Sequence, residues 1–290
     1  MAAATARPAT GAYVHGYSAD EGRRLGEQAD TLAALLHAGT AYPAGSRVLE
    51  LGCGVGAQTT HLTAGSPGAQ IVAVDVAADS LAEARARVAG RTPGVQWCRA
   101  DLLDLPFADA EFDHLFVCFV MEHLPDPRRA LAGLRRVLRP GGSITLIEGD
   151  HGSAFFHPDS AYARAAIGCL IRLQRAAGGN ALLGRQLQPL LAAAGYDGVV
   201  VHPKTVYADH TRPLLVDGFT RRTFIAMIES VMDDALAAGL TTRSDWDRGI
   251  ADLYRTAASG GTFFYTFSKA VAVKPPLLAT APRAARDPGD

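Results

Sequence analysis

The chain has 290 residues, with 28 basic and 29 acidic side chains and a formal net charge of −1. That length suits one large domain or a core with a cap, and the near cancellation of charge offers no general surface to nucleic acid. The four cysteines, Cys53, Cys98, Cys118 and Cys169, are too scattered for a disulfide framework or a C-x-x-C zinc site, so buried thiols are expected and no metal is called for.

No signal-peptide core and no apolar run of roughly 18 residues occurs, which leads us to expect a cytoplasmic protein with no membrane partner. Residues 1–10 and 276–290 are rich in Ala, Pro, Arg and Asp without periodicity and read as disordered tails. Residues 11–40 read as a lid and helix. Tyr13, His15 and Tyr17 crowd before Ser18, whose spacing to Glu21 fits a capping box for a helix reaching about His37. Leu25, Leu32, Leu35 and Leu36 give that helix an apolar stripe, and Gly39 ends it. Two readings of the aromatic cluster stay open: a hydrophobic staple with Glu21 as a cap, or a segment folded over a ligand.

Val48 to Leu51 is a short apolar run carrying one carboxylate, Glu50. It enters a loop with glycines at 52, 54 and 56, and a helix is expected from Gln58. Glycine there permits positive φ and close approach of backbone to a ligand. Gly52, Gly54 and Ala57 also satisfy the dinucleotide pattern G-x-G-x-x-G/A, so the loop alone is ambiguous. Glu50 sharpens it, because a carboxylate at the strand's carboxyl end would repel a pyrophosphate and attract an ammonium group.

Ile71 to Val74 is a fully apolar run of the parallel-strand kind, ending in Asp75, an acid placed to accept both hydroxyls of a ribose or merely to end the strand. A helix over 80–88 returns the chain to a third strand, Val95 to Ala100, followed by Asp101 and Leu102. Phe112 to Cys118 is the fourth strand and opens onto Phe119, Glu122 and His123. A helix over 127–138 stops at Pro140-Gly141-Gly142, which turns into the fifth strand, Ser143 to Ile147. Glu148, Asp150 and His151 follow at its carboxyl end, either lining a pocket or forming a turn.

Helices are expected over 161–177 and 185–194, and the last two strands over Gly198–His202 and Thr262–Val273. The fold class that follows is α/β: a doubly wound, seven-stranded, mostly parallel sheet with a helical cap. Residues 41–204 and 259–275 form the core, and 205–258 are an inserted cap. In the insertion Phe224, Ile225, Ile228, Val231, Met232 and Ala235 fall at helical spacing and read as core. His210, Arg221 and Arg222 are its candidate polar contacts.

The segment Glu50-Leu51-Gly52-Cys53-Gly54-Val55-Gly56 resembles motif I of the class I S-adenosylmethionine (SAM) dependent methyltransferases, a likeness that runs over roughly residues 44 to 149. It implies SAM as cofactor, with Glu50, Gly52, Gly54, Gly56 and Gln58 around the methionine end and Asp75 and Val76 at the ribose. It further implies Asp101 and Leu102 at the adenine, and backbone at Cys118 or Phe119 meeting the ammonium. Tyr17 would touch the methionine end from the lid. By the same resemblance Tyr13, His15 or Glu21 face a small-molecule acceptor. Phe119 and Glu148, in the loops after strands four and five, and His210, in the cap, are further acceptor contacts expected from their positions, and Tyr17, Glu21 and His151 are the candidates for a proton relay between the lid and the strand-five loop.

Glu122 and His123 offer an acid and a base, but the same pair recurs in that family's fold as helix-packing and capping residues, and that is the reading taken. The YVHGYS, EGDHGS and GTFFYTF segments are similar to a bacterial group that includes indole C3-methyltransferases, which implies an aromatic acceptor. An NAD-dependent oxidoreductase would leave Glu50 and Asp101 without a purpose, and a non-catalytic SAM-binding protein is the remaining alternative. A homodimer is one option for an assembly state that the sequence leaves open.

Overall fold

The computed structural model describes residues 19–89 and 94–276; Tyr13, His15 and Tyr17, both tails and the capping Ser18 lie outside them. Helix α1 spans Ala19–Leu36, and its stripe turns inward, with Leu32 and Leu36 fully buried. Each such side chain contributes about 1.5–3 kcal/mol by leaving water.

The central strands are β1 (Arg47–Leu51), β2 (Gln70–Asp75), β3 (Gln96–Arg99), β4 (Phe112–Cys118) and β5 (Leu138–Gly149), all parallel and ordered β3-β2-β1-β4-β5. Val48, Leu49, Val72, Ala73 and Val74 are buried because both faces of the sheet are covered, which is what continuous apolar runs require. Between the strands come α2 (Ala57–Gly65), α3 (Ala78–Val88) and α4 (Pro127–Leu134). Helix α4 ends earlier than expected and β5 starts earlier. The Pro-Gly-Gly turn is therefore an irregularity inside β5, where pairing jumps from Phe112↔Leu138 to His114↔Ser143. Gly142 fits there because a Cβ would lie 2.7 Å from the Asp113 carbonyl oxygen.

A three-residue strand, β6 (Phe155–His157), follows, then α5 (Ala161–Ala176), α6 (Leu187–Ala193) and β7 (Asp197–Ala208). Strand β7 runs past residue 204, where the insertion was expected to start, because its whole length pairs antiparallel with β8 (Thr262–Val273). Strand β8 pairs with β5 and β6 along its other edge. The seven expected strands are joined by β6 as an eighth.

The insertion is not one helix. It holds a short α7 (Pro213–Leu215), a π-helix over Val216–Ile225, α8 (Ala226–Glu229), α9 (Met232–Ala237) and α10 (Arg243–Thr256). Phe224, Ile225, Ile228, Val231 and Ala235 are buried as expected. They pack with α1 and α5 on one side of the sheet, while α4 and α6 cover the other.

Two cations tie α1 down. The Lys269 ammonium on β8 donates to Leu36 O (3.2 Å), Ala38 O (2.8 Å) and Thr40 Oγ1 at the helix's carboxyl end. Arg87 on α3 donates to Gly22 O (3.2 Å) near the start of α1 and to Val55 O (3.0 Å) in the glycine loop. The helix thus lies across the carboxyl ends of the strands, over the point where strand order reverses between β1 and β4.

Candidate functional site

A cavity of about 340 Å³ opens there, where open α/β sheets take ligands. Its floor is the loop after β1, with φ of +66° at Gly52 and +50° at Gly54. A side chain at Gly52 would strike Val120, and a Cβ at Gly54 would stand in open space. Gly56, expected in the cradle, turns away and packs on Ala84 of α3, so its role is to seat the helix.

Asp75 lines one end of the cavity with Val76. Its carboxylate accepts from Gly54 N (2.8 Å) and Ala77 N (2.9 Å), so one residue both shapes the loop and presents an acid to the cavity. Asp101 and Leu102 line the same end, and Asp101 Oδ1 is fixed by Leu103 N at 2.9 Å. Gln58 lines the cavity farther along, bonded to His37 Nε2 at 2.8 Å.

Glu50 is not on the wall. It is 2 % exposed and lies beneath the glycine loop, because strand alternation turns it under the loop rather than out of it. Burial, reinforced by Asp75, pushes its carboxyl up to about 8 against the opposing Thr59 hydroxyl, and Oε2 has no hydrogen-bond partner. A buried acid kept this way, directly under a loop that admits close approach, suits a cationic ligand group above it.

The other end is aromatic. Phe119, Tyr265 and Phe267 line it with Met227, Gly149 and His151. Phe119 takes φ +59°, an uncommon conformation for a bulky residue, with its N–H held by Ile147 O at 2.9 Å and its ring 5.4 Å from Phe267. Cys118 beside it is 8 % exposed. His151 is fixed by its backbone N–H to Ala181 O (2.9 Å) and by Nδ1 to the Tyr265 hydroxyl (2.8 Å). Burial holds that phenol well above its ordinary range, so it stays protonated.

Over the top, Glu21 on α1 pairs with Arg24 (2.6 Å), which also reaches Gln28 (3.1 Å). All three line the cavity, as do Glu122 and His123. Arg24 and Gln28 were missed by sequence reasoning, although residues 21, 24 and 28 form one seam at helical spacing. Tyr265 and Phe267 were missed as site residues, yet the period of two along β8 puts 263, 265 and 267 on one face.

Three expectations are corrected. Glu148 is 0 % exposed and faces no acceptor: its Oε1 accepts from Val120 N (3.2 Å) and Met121 N (2.8 Å), so it holds the turn after β4. Asp150 does not line the cavity either, because Arg185 grips both of its oxygens at 2.7 Å. His210 is exposed in the loop after β7 and away from the cavity, since the strand carries it past the site. Arg221 and Arg222 pair with Asp217 and Glu27. No helix among the described residues is long and apolar enough to cross a membrane.

Residues 49–146 match the family described as "Methyltransferase domain". Over 186 residues the chain is 34% identical to an uncharacterised protein from a transposon of Streptomyces fradiae, covering 62% of this chain and 52% of that one. Over 105 residues it is 40% identical to the demethylmenaquinone methyltransferase of Clavibacter sepedonicus, covering 36% of this chain and 42% of that enzyme. The chain spans about half the length of the curated relatives it matches. Phosphoethanolamine N-methyltransferase 2 of Haemonchus contortus, solved with S-adenosylhomocysteine, shares the fold at TM-score 0.53 and 18% identity, covering 85% of this chain and 52% of that one. The strand order and the glycine loop agree with the matched family, and residues 49–146 carry a SAM-dependent methyltransferase domain.

Proposed function

We propose that the whole chain transfers the methyl group of SAM to a small aromatic or heterocyclic acceptor, and that the acceptor atom is carbon 3 of an indole. The observation that carries this reading is the division of one cavity into an acidic end, at Asp75 and Asp101, and an aromatic end, at Phe119, Tyr265, Phe267 and His151. A relative named for demethylmenaquinone, and others named O-methyltransferases, support a small-molecule acceptor. N- or O-methylation of another small metabolite is the alternative.

SAM brings a methyl on a positively charged sulfur, which is already an electrophile. The residues therefore have to position, desolvate and remove a proton. Asp75 is assigned the ribose hydroxyls, Asp101 and Leu102 the adenine, and Glu50 the charge of the ammonium group, with Gly52 and Gly54 allowing backbone contact. Alignment of this kind can contribute about 7–11 kcal/mol. Helix α1, held by Arg87 and Lys269, closes the cavity from above and excludes water. His151 is the base we assign: with Nδ1–H given to Tyr265 Oη, its Nε2 carries the lone pair that takes the acceptor's proton.

The test is incubation with methyl-labelled SAM and a set of indole-bearing metabolites, followed by mass spectrometry. Label at carbon 3 is expected. Label on oxygen or nitrogen would replace the indole reading, and SAM binding without any S-adenosylhomocysteine released would remove methyl transfer.

A further inference from the structure

Three buried carboxyl groups meet beside Cys118 at the carboxyl ends of β1, β4 and β5: Glu50, Glu122 and Glu148. Glu50 is accounted for by the cofactor's ammonium and Glu148 by the backbone of residues 120 and 121. Glu122 is left over, and it lines the cavity.

Its setting is unusual for a residue whose only duty is helix packing. Glu122 is 7 % exposed. Its Oε2 accepts from Gln174 Nε2 of α5 at 3.5 Å, a long bond, and its Oε1 lies 3.7 Å from His123 Nε2, beyond hydrogen-bonding length. Packing is done by the backbone instead, since Glu122 O accepts from Asn180 N (2.7 Å) and Gln174 Nε2 (3.2 Å). The charged and titratable groups around the carboxyl are Arg24 above, Glu148 below, His123 beside it and Tyr265 opposite. Burial pushes both carboxyls up, Glu122 to about 7 and Glu148 well above the ordinary carboxylate range, with Glu148 raised further by the charge of Glu122. A desolvated carboxylate with only long contacts is costly unless a ligand completes it.

We propose that Glu122 is the residue that selects the acceptor, its carboxylate taking a hydrogen bond from a ring N–H of the acceptor at the aromatic end of the cavity. The assignment rests on the reading of the chain as a methyltransferase with an aromatic acceptor. The acceptor end is indicated because Glu122 sits with Tyr265, the partner of His151, and not with Asp75 and Asp101. A neutral N–H fits better than an ammonium group, because a second full positive charge beside a sulfonium and Arg24 would be repelled. A ring N–H also only donates, which matches a carboxylate that only accepts.

The probes are indole and benzofuran, in which oxygen replaces the N–H with no added bulk. Each is titrated into the full chain saturated with S-adenosylhomocysteine, for the wild type and for Glu122→Gln. The variant keeps the shape and removes a repulsion with Glu148, so it folds, and unchanged S-adenosylhomocysteine affinity confirms that. In the wild type, indole should bind about tenfold more tightly than benzofuran, as expected for a hydrogen bond to a charged group. In Glu122→Gln the difference should shrink to about threefold or less. Equal binding of the two probes by the wild type, an unchanged difference in the variant, or no indole binding at millimolar concentration while S-adenosylhomocysteine binds would each overturn the assignment and leave methyl transfer standing. Failure of S-adenosylhomocysteine itself to bind would take down both.

Discussion

Replacing Glu50 by glutamine separates what this carboxyl does for the fold from what it does for the cofactor. Its ordinary value of 4.5 is raised to about 8 in the folded chain, first by burial and then by Asp75. A carboxyl whose folded value is raised holds a proton that the unfolded chain has released. Stability is therefore full below about pH 4.5 and falls as pH climbs towards 8. At about 1.4 kcal/mol per unit, the penalty at pH 7 is on the order of 3 kcal/mol, rising to about 5 kcal/mol above pH 8. Glutamine carries no charge and keeps the volume, so Glu50→Gln should remove most of that slope.

Urea unfolding of the ligand-free chain at pH 5 and pH 8 reads the effect directly. The two proteins should be nearly equal at pH 5, and the variant should be the more stable by a few kcal/mol at pH 8. SAM should respond in the opposite sense, with affinity reduced about tenfold or more, because the buried charge beneath the glycine loop that attracts its ammonium group has gone. A stability gain coupled to a binding loss is the pattern of a residue kept for its ligand. If Glu50→Gln is less stable at pH 8, or binds SAM as the wild type does, the carboxylate is structural and the argument for it fails.

Lys269→Met leaves the carbonyls of Leu36 and Ala38 without their buried donor and should cost about 3 kcal/mol, seen as a lower urea midpoint with faster amide exchange at the end of α1. Tyr265→Phe breaks the bond to His151 Nδ1 while preserving the ring. Turnover should fall at least about tenfold with SAM affinity within a few-fold; an unchanged rate would return Tyr265 to the aromatic cluster it shares with Phe219 and Phe224.

How much of this was legible in the sequence depends on what each position demands. Asp75 could be placed because it follows an apolar run that must be a buried parallel strand, and Asp101 because it follows the next strand, the partly exposed edge strand β3, the carboxyl ends of parallel strands sharing one side of the sheet. Gly52 and Gly54 could be placed because the loop needs their positive φ. Glu148 and Glu50 obeyed the same positional rule and were misplaced all the same. Which end of a strand a residue occupies follows from the chain alone, whereas whether its side chain points into the cavity or under the neighbouring loop follows from the pleat and the register.

The insertion failed for a related reason. Its apolar stripe identified the buried face, but the π-helix and the breaks after residues 215 and 229 answer to what packs against them, and a stripe does not encode its partner. The same logic explains why the electrostatics of the site could not be read in advance. Glu50 stands opposite Phe116 across the β1/β4 pair, and Cys118 stands opposite Ile147, one residue before Glu148, across the β4/β5 pair. Slide either pair by one residue and a carboxyl moves to the other face, so the concentration of buried acid beside Cys118 is a property of register. Register is set by side chains far from the site, such as Leu49 against Leu115 and Leu115 against Ile144. The apolar core thus decides where the charge collects, and the charge decides what the cavity can hold.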